Sequence, residues 1–443
     1  MRKIVLLALL TLCVSLSAQT VYYVKLATDD AWSDRENVYT DIQTAINAAA
    51  SAVSDENIQV WIAKGSYTLT QPLEPKSGVD VIGGFIGDEV DLSERSFAGK
   101  GENLTILNGN NSCRVISQNG GLSSPTYWSN LIIENGNSTS IPDGGGATLN
   151  SNMTLKGCIF CNNTSEMNGG GAYLYGNACL INCLIEGSKI KKGDITAGGI
   201  GIYCKDDSRV INCTVVNNAG SPVYDAYGLG IFAFDNSFIG NTIIWGNDVN
   251  YAYSPVGQIS LNQQAVATYC AITKGHAGEG NINVSASNTG DYENYTALHF
   301  IAPGSDWDLD FESACIDAGN NDLIAGEEFD LNGKKRIIKG IDENEANVDI
   351  GAFEFGEDNI SIESVETHTA QFYPNPCSGI LYSAIESDSA YSIKIISASG
   401  ITLYEAASVS PSSPIDLSSL PKGTYILRWQ TSSDSGSMPL IMK

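Results

Sequence analysis

The chain of 443 residues carries 50 Asp and Glu against 24 Lys and Arg, a formal net charge of −26. Nucleic acids and anionic membranes are bound by basic surfaces, so this balance argues against both as partners. It also disfavours direct capture of polyuronates, unless Ca²⁺ bridges the two anions.

The first residues read as a secretory leader: Arg2 and Lys3, an apolar run from Ile4 to Val14, then small residues at Ser15, Ser17 and Ala18. The leader is taken as residues 1–18, and its apolar run is too short to span a bilayer. No later segment is long and apolar enough to cross, so no transmembrane segment is expected in the mature chain. From Thr40 to Tyr67 the sequence reads TDIQTAINAAASAVSDENIQVWIAKGSY. Ile42, Ala45, Ile46 and Ala49 fall at helical spacing, which predicts a short amphipathic helix followed by the strand IQVWIA. A stack of strands has an unpaired end that must be covered, and the segment 40–67 is read as its N-terminal cap.

Six copies of one short pattern follow: YWSNLII, LKGCIF, LINCLI, VINCTV, FIGNTI and ATYCAI. Taking the Cys or Asn as anchor gives Asn130, Cys158, Cys183, Cys213, Asn241 and Cys270. Two positions later stand Ile132, Phe160, Ile185, Val215, Ile243 and Ile272. Just before four of the anchors stand Gly157, Asn182, Asn212 and Gly240, residues that tolerate a left-handed bend between short strands. A period of this length means a repeat architecture in which each copy buries its apolar face on its neighbours. The copies are too irregular for propeller blades and lack helical periodicity. The expected fold is all-β: a right-handed parallel β-helix over residues 19–355. Glycine runs at 144–146, 169–171, 198–199 and 228–230 lead into ATLNSN, AYLYGN, IGIYCK and IFAFDN and are read as turns.

The ladder resembles the pectate-lyase-like superfamily; VIGGFIGDEVDLSER (Val81 to Arg95) and NLTILNGNN (Asn103 to Asn111) resemble the first coils of surface β-helices from the Bacteroidetes, and the glycine runs resemble the GGGA repeats of polymorphic outer-membrane β-helices. Cys158, Cys183, Cys213 and Cys270 share one inward position, where a free thiol packs as a small hydrophobe. Two alternatives stay open: disulfides between coils, and a zinc site from Cys158, Cys161, Cys179 and Cys183. Against zinc, residues three apart on a strand face opposite sides.

The segment ACIDAGNNDLIAGEEFDLNGKKRIIKGIDENEANVDIGAFEF, from Ala314, resembles the end segment of the choice-of-anchor Q family. The resemblance implies the last coils and a C-terminal closure over about 305–355. A linker, 356–369, precedes a tail of alternating strands at 370–443, read as a small β-sandwich. Tyr373, Pro374, Asn375 and Pro376, the strand with Gly423 and Tyr425, and the end at Lys443 resemble the type A sorting domain of the type IX secretion system. That resemblance implies recognition by the type IX machinery, delivery through the periplasm to the surface or the medium, and removal of the tail.

Catalytic candidates are sparse. Asp206 and Asp207, Gly275-His276-Ala277 and Arg336-Ile337-Ile338-Lys339 occur in the order of a polygalacturonase-like set. Their spacing puts them two or more coils apart, beyond hydrogen-bond reach. Asp306, Asp308 and Asp310 alternate in DWDLD, and with Asp317 they are the Ca²⁺ candidates; otherwise they are solvated positions. No other cofactor is indicated. Tyr224, Tyr227, Tyr251 and Tyr253 fall in the longest turns, where Tyr stacks on sugar faces or anchors protein contacts, or else packs the loops. The expected function is an exported surface protein that binds a polysaccharide or a host surface protein. The alternative is a polysaccharide lyase or glycosidase working in a groove of the β-helix.

Overall fold

The computed structural model describes residues 20–443 apart from 53–57, 139–143, 192–197, 221–227, 250–256, 287–295, 325, 339, 341–345, 357–370, 385–389, 398–401, 411–412 and 432–434. The leader and most of the linker lie outside the described residues. The chain divides into two compact units, 1–358 and 359–443.

The first unit is a parallel β-solenoid. One coil runs through Ala147–Leu149, Met153–Lys156, Ile159–Cys161 and Thr164–Ser165, then returns beside its own start at Ala172–Leu174. Stacked coils make three long sheets: sheet 1 through Met153–Lys156, sheet 2 through Ile159–Cys161 and sheet 3 through Ala147–Leu149. The helix Ile42–Ala50 buries Ile42, Ala45, Ile46 and Ala49 in the same core as the early strands. The Asp41 side chain caps it, accepting from the Thr44 amide at 2.7 Å.

The register corrects the sequence reading of two copies. Ile132 pairs with Ile159, and Ile243 with Thr214, so Asn130 and Asn241 stand beside Gly157 and Asn212 rather than beside the cysteines. All six copies then bend at one place: Asn130, Gly157, Asn182, Asn212, Asn241 and Tyr269 have φ between 46° and 59°. The inward row is Leu131, Cys158, Cys183, Cys213, Thr242 and Cys270, wholly buried. The described cysteines are free, and burial pushes the Cys270 thiol up to about 12 and those of Cys158 and Cys183 well above their ordinary value.

A second row of buried amides pins the next corner. Asn163, Asn218 and Asn247 donate to the carbonyls of Ile133, Ile185 and Val215 at 2.8, 3.0 and 2.9 Å. Their side-chain oxygens accept from the backbone amides of Gly136, Ser188 and Asn218, so these polar groups are satisfied inside the stack. The glycine runs have a steric cause. A Cβ on Gly171 would stand 2.7 Å from the Gly201 carbonyl, and one on Gly201 2.8 Å from that of Gly230.

Sheet 2 is apolar on both faces, as a sheet covered on both sides must be. Its inner face carries Phe160, Ile185, Val215, Ile244 and Ile272, and its outer face Leu184, Val216, Ile243, Trp245 and Ala271. Residues 297–356 cover that outer face. They had been expected to form the last coils, and they do not. Their strands Phe300–Ala302 and Asp306–Leu309 pair antiparallel with each other, and the segment runs as a strap along the outside of the stack. Phe300, Trp307, Leu309, Cys315, Ile316, Leu331, Ile350 and Phe353 bury themselves against sheet 2.

The strap is held by the bend row. Asn182 donates to the Phe329 carbonyl at 2.7 Å, Asn212 to that of Asp349 at 3.3 Å and Asn241 to that of Asn320 at 3.0 Å. At its centre Arg336 pairs with Glu354 at 2.7 Å and donates to Asn182 at 2.6 Å. Asp330 and Asp349 crowd the same buried space, and desolvation raises all three carboxyls, Asp349 to about 7.

The second unit packs two antiparallel sheets. Gln371–Tyr373, Ile380–Ala384 and Ile415–Asp416 form one, and Tyr391–Ser397, Thr402–Val409, Gly423–Gln430 and Ser435–Met442 the other. Phe372, Leu381, Ile393, Ile395, Leu427, Trp429 and Leu440 fill the space between them.

Candidate functional site

Among the described residues no strap covers sheet 3. Strand alternation turns Ala172 and Leu174 inward, so Tyr173 and Tyr175 face out, and the same holds one coil on for Tyr203 and Lys205, then Phe232 and Phe234. Tyr173 stacks on Tyr203 at 4.9 Å with planes 3° apart, and Tyr203 on Phe232 at 5.0 Å and 17°. In the second row Lys205 lies over the Tyr175 ring at 5.7 Å, and the Tyr175 hydroxyl donates to the Gln118 carbonyl at 3.0 Å. Because the ring faces in the first row meet one another, Tyr203 and Phe232 offer their edges to solvent, while Tyr173 is buried.

The turn from sheet 3 into sheet 1 continues this surface. Pairing of Thr154 with Cys179, Cys179 with Arg209, Arg209 with Phe238 and Phe238 with Val266 sets Asn152, Asn177, Asp207, Asn236 and Gln264 side by side. Asn177, Asp207, Asn236 and Gln264 are exposed. Asn236 donates to Asp207 at 3.1 Å, and the Asn152 amide to the Asn177 side chain at 2.6 Å. Beneath this row Asp206 takes a left-handed φ of 59° and accepts from the Gly176 amide at 2.9 Å, which ties adjacent turns together. Beyond it, on sheet 1, Arg209 lies over the Phe238 ring at 5.0 Å. The corner thus presents amide and carboxylate groups in register along the stack, flanked by aromatic rings on both sides.

The second unit joins its own beginning and end. Asn375 accepts from the Ile441 amide at 3.0 Å, Cys377 donates to the Ile441 carbonyl at 2.7 Å, and the Lys443 amide donates to the Cys377 carbonyl at 2.9 Å. Tyr425 leaves the strand at Gly423–Gln430 to donate to the Pro421 carbonyl at 2.7 Å. Tyr373 is exposed and its ring stacks with Tyr382 at 5.9 Å; both prolines, Pro374 and Pro376, follow cis bonds.

Residues 371–443 match the secretion system C-terminal sorting domain. The chain is therefore exported through type IX secretion to the cell surface or beyond it. No curated protein matches the chain. A similar solved structure is the pectin methylesterase from Aspergillus niger, at 17% identity and a TM-score of 0.31, covering 64% of this chain and 91% of the esterase. Among the described residues no helix is long and apolar enough to cross a membrane.

Tyr373, Pro374, Asn375, Pro376, Gly423, Tyr425 and Lys443 all lie within the matched sorting domain; the other candidates are scattered. Asp206 and Asp207 belong to the corner row. His276 follows the sheet 2 strand Ala271–Thr273 at a different corner, exposed, its Nδ1 at 2.9 Å from the Ala277 carbonyl. The structure does not bring the three together, and Arg336 is buried in the strap. Tyr224, Tyr227, Tyr251 and Tyr253 lie outside the described residues; in sequence they precede the sheet 3 strands Ile231–Ala233 and Ile259–Leu261.

The Ca²⁺ candidates do not form a shared face. Asp308 is buried, ion-paired with Lys100 and accepting from Asn332 at 2.6 Å, so its charge is already balanced. Asp306 accepts from the Asp308 amide, Asp310 lies past the strand end, and Asp317 accepts from the Gly340 amide at 3.2 Å. Among the described residues no group of three or more His, Cys, Asp or Glu could hold a metal ion. Cys158 and Cys183 point into the core while Cys161 and Cys179 are only half-buried, which separates the four proposed zinc ligands.

Sequence reasoning missed Tyr173, Tyr175, Tyr203, Phe232 and Phe234. The signal was present: an aromatic stands at the second position of three strands that follow glycine runs, Tyr173, Tyr203 and Phe232, where alternation turns it outward, while Thr148 holds that place in the first.

Proposed function

We propose that this chain is a surface-displayed or released binding protein whose corner between sheets 3 and 1 engages a glycan. The observation that carries this reading is the pair of in-register rows, rings from Tyr173 to Phe232 and amides or carboxylates from Asn152 to Gln264. Rings supply apolar contact, and side-chain amides supply paired donors and acceptors that suit sugar hydroxyls. The resemblance of the segment after Ala314 to choice-of-anchor Q proteins supports a surface destination and a Bacteroidetes source.

Incubating the mature protein with a polysaccharide panel, and scoring retention and product release separately, tests the reading. Retention without cleavage supports it. Release of oligosaccharides would make the protein a lyase or glycosidase instead, and neither signal would remove the glycan altogether. Mass spectrometry of the surface form tests the processing step: a chain ending before residue 371 is expected, and one reaching Lys443 would mean that the sorting domain is retained.

A further inference from the structure

We infer that the corner takes a neutral polysaccharide lying parallel to the solenoid axis, with one sugar residue per coil; this rests on the binding reading above. The direction follows from the rows. Asn152, Asn177, Asp207, Asn236 and Gln264 belong to successive coils, so like groups recur at the strand spacing of about 4.8 Å. That pitch is close to the rise of one pyranose in an extended chain, so each sugar meets the next coil's copy of the same side chain. A peptide would not match, because an extended strand advances about 3.3 Å per residue.

The charge points to a neutral chain. Among the described residues Asp206, Asp207 and Asp235 stand with Lys205 and Arg209, each of which covers a ring, Tyr175 and Phe238, and Arg114 acts on Tyr175 from the preceding coils. A polyanion would meet a carboxylate surplus on a chain of net charge −26. The ring contacts also limit the geometry. Tyr173, Tyr203 and Phe232 already stack on one another, so a sugar cannot slip between them and must lie across the part-exposed edges of Tyr203 and Phe232. Its hydroxyls then fall to the amide row, where Asn177, Asp207 and Asn236 supply both donors and acceptors.

Calorimetric titration of the mature protein with cello-, manno- and laminari-oligosaccharides from disaccharide to hexasaccharide tests this, with carboxymethyl-cellulose as the anionic probe. At least one neutral series should gain about tenfold or more in affinity between disaccharide and pentasaccharide, then level off as the coils run out. The triple variant Asn177→Ala, Asp207→Ala, Asn236→Ala should lose about tenfold or more on the longest sugar, while His276→Ala binds as wild type. Melting curves of both variants verify that they are folded. Binding that ignores chain length, or survives the triple substitution, would overturn the axial placement and leave the binding reading standing. Preference for the anionic probe would overturn the neutral assignment. A wild-type protein that binds no glycan at all would overturn both.

Discussion

Sheets 2 and 3 are built from the same coils at the same pitch, yet one is sealed and the other open. The difference lies in the residues that alternate outward. On sheet 2 these include Leu184, Val216, Ile243 and Trp245, and the chain returns after the last coil to cover them. On sheet 3 they are Tyr173, Tyr203 and Phe232, which cover one another's faces by stacking, and the two tyrosines carry a hydroxyl at the ring edge. In a solenoid the inward row sets the stack and the outward row sets the use of each face.

This comparison can be broken at its strongest point first. Replacing Arg336 by Leu removes the buried cation that pairs with Glu354 and faces Asp330 and Asp349, leaving among the described residues only the Lys334 ammonium, which donates to the Glu354 carbonyl at 2.8 Å. Such a change costs about 3–5 kcal/mol, readable by urea denaturation; a loss below about 1 kcal/mol would show that the strap is not held there. Next, Ile243→Ala under the strap should cost about 2–4 kcal/mol, whereas Tyr203→Ala on the open face, where the ring is half-buried, should cost about 1 kcal/mol. Equal losses would erase the distinction between the sheets.

The pH dependence is a third test. Asp349, raised to about 7 by burial, binds its proton in the folded state while the unfolded carboxyl, near 4, has already ionised. Over that window the unfolded state holds fewer protons, so stability falls as pH rises from about 4 to about 7. The loss should be on the order of 3–4 kcal/mol, and Asp349→Asn should make the fall of melting temperature with pH shallower, leaving the part that Asp330 and Glu354 contribute. A profile that rises through this range would contradict the placement of the carboxyls. The smallest effect belongs to the corner: Asp207→Asn should stay within about 0.5 kcal/mol of wild type.

The parallel stack and the terminal sandwich were legible because their signals are local: a recurring anchor, β-branched positions two residues on, turn residues between strands. The register slip at Asn130 and Asn241 shows the limit. Asn and Cys were treated as equivalents, although Asn suits a positive φ and Cys suits a dry interior. Gly157, Asn182 and Asn212 already marked the bend and would have placed both correctly. The strap could not be read, because its partners lie far off in the chain: Leu331 meets Gly99, and Phe329 meets Asn182. The aromatic row is carried by AYLYGN, IGIYCK and IFAFDN, but inside strands, where a ring in sequence reads as core as readily as surface.

The strap's bonds to the bend row give the molecule a ruler. Coils can add one at a time, each templated by the last; a one-residue slip would turn the apolar row outward, but a two-residue slip keeps the same face inward. Asn182, Asn212 and Asn241 must nevertheless stand at fixed intervals to meet Phe329, Asp349 and Asn320, while Gly99 waits for Leu331 at the near end. A slip in any one coil would move every later asparagine off its mark, leave buried amides unbonded and strand Arg336 among its carboxylates. Docking of the strap is thus a length check on the whole stack, made once, after the last coil is in place.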